Sequence, residues 1–284
     1  MRETRLFNDN WKFIKIEPGT TGYENSDSWV NVDIPHDWLI YDTNNLYEDS
    51  EGWYRKTFDL QTETGVRYAL RFDGVYMEPV IYVNGAKAGE WKYGYNTFEI
   101  DITDYLVNGA NEIRVQVMHR SPNSRWYSGA GIFRNIWFKT MPDTHFVSDG
   151  IYIRTERTDT GYMLKASSEI SGSEFDAVAY TVFDMNGPAV VSKTTDAAAD
   201  TVEIEVESPD EWDIDNPVCY VLRAELLCNG QAVDCINTRF GFRTIEFNSD
   251  SGFYLNGRHV KLNGVCMHHD LGALGAAVNK GAFF

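Results

Sequence analysis

The run Glu112-Ile113-Arg114-Val115-Gln116-Val117-Met118 alternates polar and apolar side chains with a period of two. Successive side chains of a strand point to opposite faces, so this pattern describes a sheet with one face buried and one face wet. The same period returns in Tyr68, Leu70 and Phe72, and in Tyr220, Leu222, Ala224 and Leu226. It returns again where Val202, Ile204 and Val206 are set between Glu203, Glu205 and Glu207. Half-buried strands of this kind belong to antiparallel sheets. No window of a dozen residues carries the 3.6-residue period of an amphipathic helix. Six Asn-Gly pairs punctuate the chain, at 84–85, 108–109, 186–187, 229–230, 256–257 and 263–264. Both residues tolerate the positive φ that a type I′ turn requires, so several of these pairs are expected to close hairpins. Many short strands with regular turn signals predict an all-β chain built from β-sandwiches.

The composition changes along the 284 residues. Seven of the eight Trp lie between Trp11 and Trp137, whereas residues 144–244 hold only Trp212. Those hundred or so residues carry 18 acids against 7 bases, and residues 1–143 carry 21 against 15. A turn signal at Met141-Pro142-Asp143 marks the change. The reading is therefore a first sandwich over 1–143, a second over 144–244 and a short piece over 245–284. The second has about seven strand runs and the size of an immunoglobulin-like sandwich, without the Cys…Trp…Cys spacing of antibody domains. Its acidic strand, Thr201–Glu207, reads as a solvated face.

The formal charge of −17 argues against nucleic acid and anionic membrane surfaces, because phosphate binding needs clustered Lys and Arg. No apolar run approaches the ~20 residues of a membrane helix. The polar stretch Met1–Trp11 lacks an apolar signal core, so a cytoplasmic location is expected. Cys219, Cys228, Cys235 and Cys266 show no CxxC spacing, which predicts neither a zinc site nor a disulfide framework, and no cofactor motif is present.

The candidate chemistry lies near the C-terminus. Residues 251–264 read as a hairpin around Asn256-Gly257, leading through Val265-Cys266-Met267 to His268-His269-Asp270. Polar residues thus sit where an apolar strand ends, which is where the active-site residues of a (β/α)8 barrel appear. Adjacent histidines on a strand point to opposite faces, which disfavours a shared metal ion.

The stretches Gly241–Phe247 and Gly264–Val278 resemble the entry to the catalytic barrel of glycoside hydrolase family 2, in particular of bacterial β-galactosidases. Phe7–Phe13, Asp33–Trp38, Gly52–Phe58 and Ser124–Arg134 are similar to the sugar-binding domain of that family. The resemblance runs in order along nearly the whole chain and implies a jelly-roll β-sandwich, an immunoglobulin-like β-sandwich and then a short fragment of a (β/α)8 barrel. A retaining glycosidase needs two carboxyls about 5–5.5 Å apart. The family's two glutamates stand on later barrel strands, so the resemblance implies that this chain holds no catalytic residue and is inactive alone. Asn279–Phe284 departs from the expected first barrel helix and looks like a truncation, a frameshift or an artificial end.

Carried over residue by residue, His268 matches a histidine that contacts the sugar, with His269 and Asp270 beside it. Tyr47–Glu51 is similar to a substrate-facing loop, and Asp49 falls near a sugar-contacting Asn of a relative. Arg125 stands where some relatives have an Asp that contacts both sugar and a sodium ion, a departure that argues against a sodium site. Arg125 and Trp126 are expected to face the sugar, Trp126 as a stacking surface. Trp11, Trp29, Trp38 and Trp137 read as core, and His36 as a structural hydrogen-bonding residue. The expected partner is a β-galactoside, reached through the parent enzyme. Two other functions compete: a free-standing carbohydrate-binding module, and an assembly role in which the hairpin Phe253–Leu262 exposes an apolar face and drives homo-oligomerisation.

Overall fold

The computed structural model describes residues 2–282 except 186, 198, 200 and 269. The chain is almost entirely β and divides into two compact units: residues 3–140 with 266–284, and residues 1–2 with 141–265. Helical structure among the described residues is limited to three-residue 3₁₀ turns, and no helix is long and apolar enough to cross a membrane.

The first unit is a jelly-roll sandwich. Its strands are β1 (Glu3–Leu6), β2 (Trp11–Ile16), β3 (Val30–Val32), β4 (Ser50–Leu60), β5 (Val66–Phe72), β6 (Val80–Val83), β7 (Ala86–Glu90), β8 (Phe98–Asp101), β9 (Gly109–His119) and β10 (Ile136–Pro142). They form a four-stranded sheet, β1-β10-β5-β8, in which β1–β10 and β5–β8 pair antiparallel, and a fully antiparallel six-stranded sheet, β3-β2-β4-β9-β6-β7. The alternation of β9 decides its orientation. Ile113, Val115 and Val117 are fully buried, while Arg114 and Gln116 turn outward. Each buried branched side chain contributes roughly 1.5–3 kcal/mol through removal from water. Trp11, Trp38 and Tyr54 join this core, whereas Trp29 and Trp137 are half-buried at its margins. Their indole N–H groups donate to the Tyr23 carbonyl and to the Asp73 carboxylate.

The second unit is an immunoglobulin-like sandwich of seven strands: β11 (His145–Arg157), β12 (Gly161–Ser171), β13 (Ala177–Asp184), β14 (Ala189–Asp196), β15 (Thr201–Glu207), β16 (Tyr220–Cys228) and β17 (Gln231–Phe240). One sheet runs β11-β12-β15 and the other β14-β13-β16-β17. In β15 the valines and the isoleucine are buried and the glutamates exposed, the solvated face expected from the sequence. Asp234 is fully buried and accepts from both the Arg2 guanidinium and the Phe146 amide, which fastens the N-terminus to this sandwich.

Three of the six Asn-Gly pairs close two-residue hairpins with both residues at positive φ: Asn84-Gly85, Asn229-Gly230 and Asn256-Gly257. Asn108-Gly109 leads into β9 without a hairpin, Gly264 keeps negative φ, and Asn186 lies outside the described residues.

Residues 245–259 form a small antiparallel sheet of β18 (Ile245–Asn248), β19 (Gly252–Leu255) and β20 (Arg258–His259). The expected barrel strand Val265-Cys266-Met267 is not part of any sheet, and Val265 and Met267 are exposed. A strand is held by the hydrogen bonds of its neighbours, and no described strand lies beside this segment.

Candidate functional site

Four irregular segments of the first unit converge at one end of the jelly roll: residues 42–49, 91–95, 120–129 and 266–278. Irregular backbone stays in place only if its polar groups find partners. Three buried polar side chains stand out here, and two of them, Asp37 and His119, supply such partners.

Asp37, 2 % exposed, is the first. Its Oδ1 accepts from the amides of Leu39 (3.0 Å) and Ala130 (2.9 Å). Its Oδ2 accepts from the Tyr127 hydroxyl (2.6 Å) and the Ala276 amide (2.8 Å). One carboxylate therefore ties three stretches of chain together. Val278 adds a backbone bond to the Phe133 carbonyl, and Ala276 and Ala277 are buried. Gly275 has φ +59, and a methyl group there would overlap the Asp37 carboxylate. Burial, and then the charge of Asp37, raise the pKa of Tyr127 far above the normal phenol range, so it remains a donor.

His119 is the second. Its Nδ1 lies 2.5 Å from the Glu48 carbonyl, an acceptor, which places the proton on Nδ1. Its Nε2 then accepts from Ser128 or Asn123. This imidazole bridges the 42–49 and 120–129 loops, and Asp49 does so again by accepting from the Ser121 amide (2.6 Å).

His36 is the third. Tyr54 accepts from the Ile132 amide and lies 2.7 Å from His36 Nδ1, so its hydroxyl proton goes to that nitrogen. Nε2 consequently carries the ring proton and has no partner among the described residues. Burial lowers the His36 pKa to about 4. Its Nδ1 thus makes the kind of buried hydrogen bond expected of a structural residue.

The surface these anchors hold is aromatic. The rings of Trp126 and His268 stand 4.9 Å apart. The Trp126 indole N–H donates to the Tyr95 hydroxyl (3.4 Å), and Tyr95 packs against Tyr76 and Tyr93. Trp126 is 38 % exposed, enough to leave ring surface open beside His268. Two of the sequence-predicted residues are thus in contact. Arg125 is exposed on the same loop. Asp270 is exposed, accepts from the Gly272 amide, and is close enough for its charge to act on Tyr127. His269 lies outside the described residues.

The dense carboxylates of the Tyr47–Glu51 loop have structural partners. Glu48 accepts from Lys15 and Asn45, Asp49 from Ser121, and Glu51 from Trp53, Gln116 and Gly19. No metal-binding cluster of His, Cys, Asp and Glu occurs among the described residues. An aromatic face with hydroxyl and imidazole edges suits a sugar: the negative ring face attracts the polarised C–H groups of a pyranose, and the edges bond its hydroxyls. Sequence reasoning missed Asp37, Tyr95 and His119. The aromatic density of Trp91-Lys92-Tyr93-Gly94-Tyr95 was the available signal for Tyr95.

Residues 15–142 match the family model for the sugar-binding domain of glycosyl hydrolases family 2, and residues 140–243 match a further domain model of glycosyl hydrolases family 2. A β-galactosidase of Bacteroides ovatus is 35 % identical over 99 % of this chain, which covers 36 % of that protein. A β-glucuronidase of Bacteroides fragilis is 27 % identical over 98 % of the chain and 43 % of its own length. Among solved structures, a β-glycosidase from Bacteroides vulgatus superposes with a TM-score of 0.88 and 31 % identity, covering 98 % of this chain and 38 % of that one. The chain thus spans well under half the length of these relatives.

Proposed function

Because the chain belongs to glycoside hydrolase family 2, we propose that it is the sugar-facing N-terminal portion of a retaining β-galactosidase, with the acid/base and nucleophile supplied by a catalytic barrel. In this reading the Trp126 ring stacks on the terminal galactose and His268 bonds a hydroxyl. Asp49, Arg125 and Asp270 form the polar rim, and Asp37 positions the segment that carries His268. The observation that carries the reading is the exposed Trp126–His268 pair, held from behind by Tyr95. The choice of galactoside rests on the Bacteroides ovatus relative.

A second reading has its own support. Arg125 is an exposed guanidinium beside the stacking ring, and a guanidinium favours a sugar carboxylate. That would suit a β-glucuronide, the substrate class in the name of the Bacteroides fragilis relative.

Two measurements test the proposal. The chain alone should not turn over nitrophenyl β-galactoside, and turnover abolished by His268→Ala would refute the division of labour. Titration of the ¹⁵N-labelled chain should shift the Trp126 indole resonance with galactose more than with glucuronate. A larger shift with glucuronate, lost in Arg125→Gln, would transfer the reading to the uronide. No shift with either sugar at molar concentration would end it.

A further inference from the structure

Residues 144–244 contain seven Lys and Arg residues, and four of them, Arg154, Arg157, Arg239 and Arg243, line a single groove of about 920 Å³. The same stretch holds 18 acids, of which only Glu156 lines the groove. The local charge is therefore opposite to that of the unit around it.

Two of these cations have carboxylate partners: Arg154 pairs with Glu156 and Arg157 with Glu211. Arg239 and Arg243 have none among the described residues, and both are exposed. Arg243 lies over the Trp212 ring at 4.9 Å from its centroid. Half-buried Ile153 and Phe240 give the groove an apolar lining.

The groove is bordered by β11 and β17. Both are edge strands: β11 pairs only with β12, and β17 only with β16. An edge strand presents unpaired N–H and C=O groups that a further strand can satisfy. A segment added there places alternate side chains on opposite sides, one set toward the apolar lining and the other toward the arginines.

We infer that this groove binds an extended polypeptide segment in which acidic and apolar side chains alternate. Open strand edges select an extended backbone, the lining selects apolar side chains at one parity, and unpaired Arg239 and Arg243 select carboxylates at the other. This site is independent of the sugar-facing rim and stands or falls separately from it.

The test uses the intact chain and a fluorescent peptide with the sequence of residues 201–207, Thr-Val-Glu-Ile-Glu-Val-Glu, beside an analogue with Lys at each Glu position. The acidic peptide should bind in the sub-millimolar range at low ionic strength. Binding should weaken at least tenfold in the Arg239→Glu/Arg243→Glu variant, and it should weaken at about 0.5 M salt, where screening is short-ranged. Both positions are exposed, and circular dichroism confirms that the variant folds. Bound peptide should also slow amide exchange along one of the edges Ile151–Arg157 and Thr238–Phe240. Equal binding of the Lys analogue, undiminished binding to the double variant, or binding without slowed exchange would each overturn the inference. Absence of binding at millimolar chain would do the same.

Discussion

Asp37→Asn provides the sharpest test of how the rim is held. The substitution keeps the shape of the side chain and removes its charge. The remaining carbonyl oxygen can still accept from the Leu39 and Ala130 amides, which converge on Oδ1. The new amide group then faces two donors, the Tyr127 hydroxyl and the Ala276 N–H. Tyr127 can rotate its proton away and accept, but the Ala276 N–H cannot, and it is left unpaired in a buried position. An unsatisfied buried donor costs about 1–3 kcal/mol, and bonds to a charged acceptor are worth about 1.5–3 kcal/mol each against about 1 for neutral ones. Together these give a loss of about 3–5 kcal/mol, a large fraction of a single domain's stability. Urea unfolding followed by Trp fluorescence measures the total. Hydrogen exchange locates the damage, and the Ala276 and Val278 amides should exchange faster than the strands of the six-stranded sheet. A midpoint shift worth under 1 kcal/mol, with Ala276 still protected, would show that the carboxylate does not hold the 266–278 segment.

Two further predictions rest on the same rim. His36 has its folded pKa lowered to about 4 from 6.5 by burial, so the native state binds fewer protons than the unfolded state between those values. Stability should be complete above pH 6.5 and decline as pH falls toward 4, by about 3 kcal/mol at most; urea midpoints at pH 7.5 and 4.5 measure it, and His36→Phe should flatten that part of the slope. Tyr95→Phe removes the acceptor of the Trp126 indole and also a bond to Tyr76, and should weaken sugar binding about two- to fivefold, the effect of one neutral hydrogen bond, with a midpoint loss of about 1 kcal/mol; unaltered affinity by NMR titration would mean that Tyr95 does not position the ring.

The strands were legible because burial of one sheet face writes a period of two into the chain, as in β9 and β15. The hairpins at Asn84, Asn229 and Asn256 were legible because few residues accept positive φ. Asn108-Gly109 shows the limit: glycine's freedom at φ +92 serves the entry to a strand there, and the dipeptide alone does not distinguish the two uses. Trp126 and His268 were found through family motifs, but their contact spans 142 positions of sequence and has no periodic signature. Asp37 was quoted within a motif without its role. A buried acceptor is defined by the donors around it, and those come from residues 39, 127, 130 and 276.

That dependence explains why a binding rim can be built from segments with so little regular structure. A loop that orders only when sugar arrives loses about 1–2 kcal/mol of backbone entropy per residue at that moment, which weak sugar contacts could not offset. Here the ordering belongs to folding. Asp37 fixes Ala276, eight positions after His268, while His119 and Asp49 fix the loop that leads to Trp126. The two rings that meet the solvent are therefore set largely by two groups that never reach it, the Asp37 carboxylate and the His119 imidazole. Mutations at those hidden groups should alter sugar affinity and stability together, whereas mutations at Trp126 should alter affinity alone.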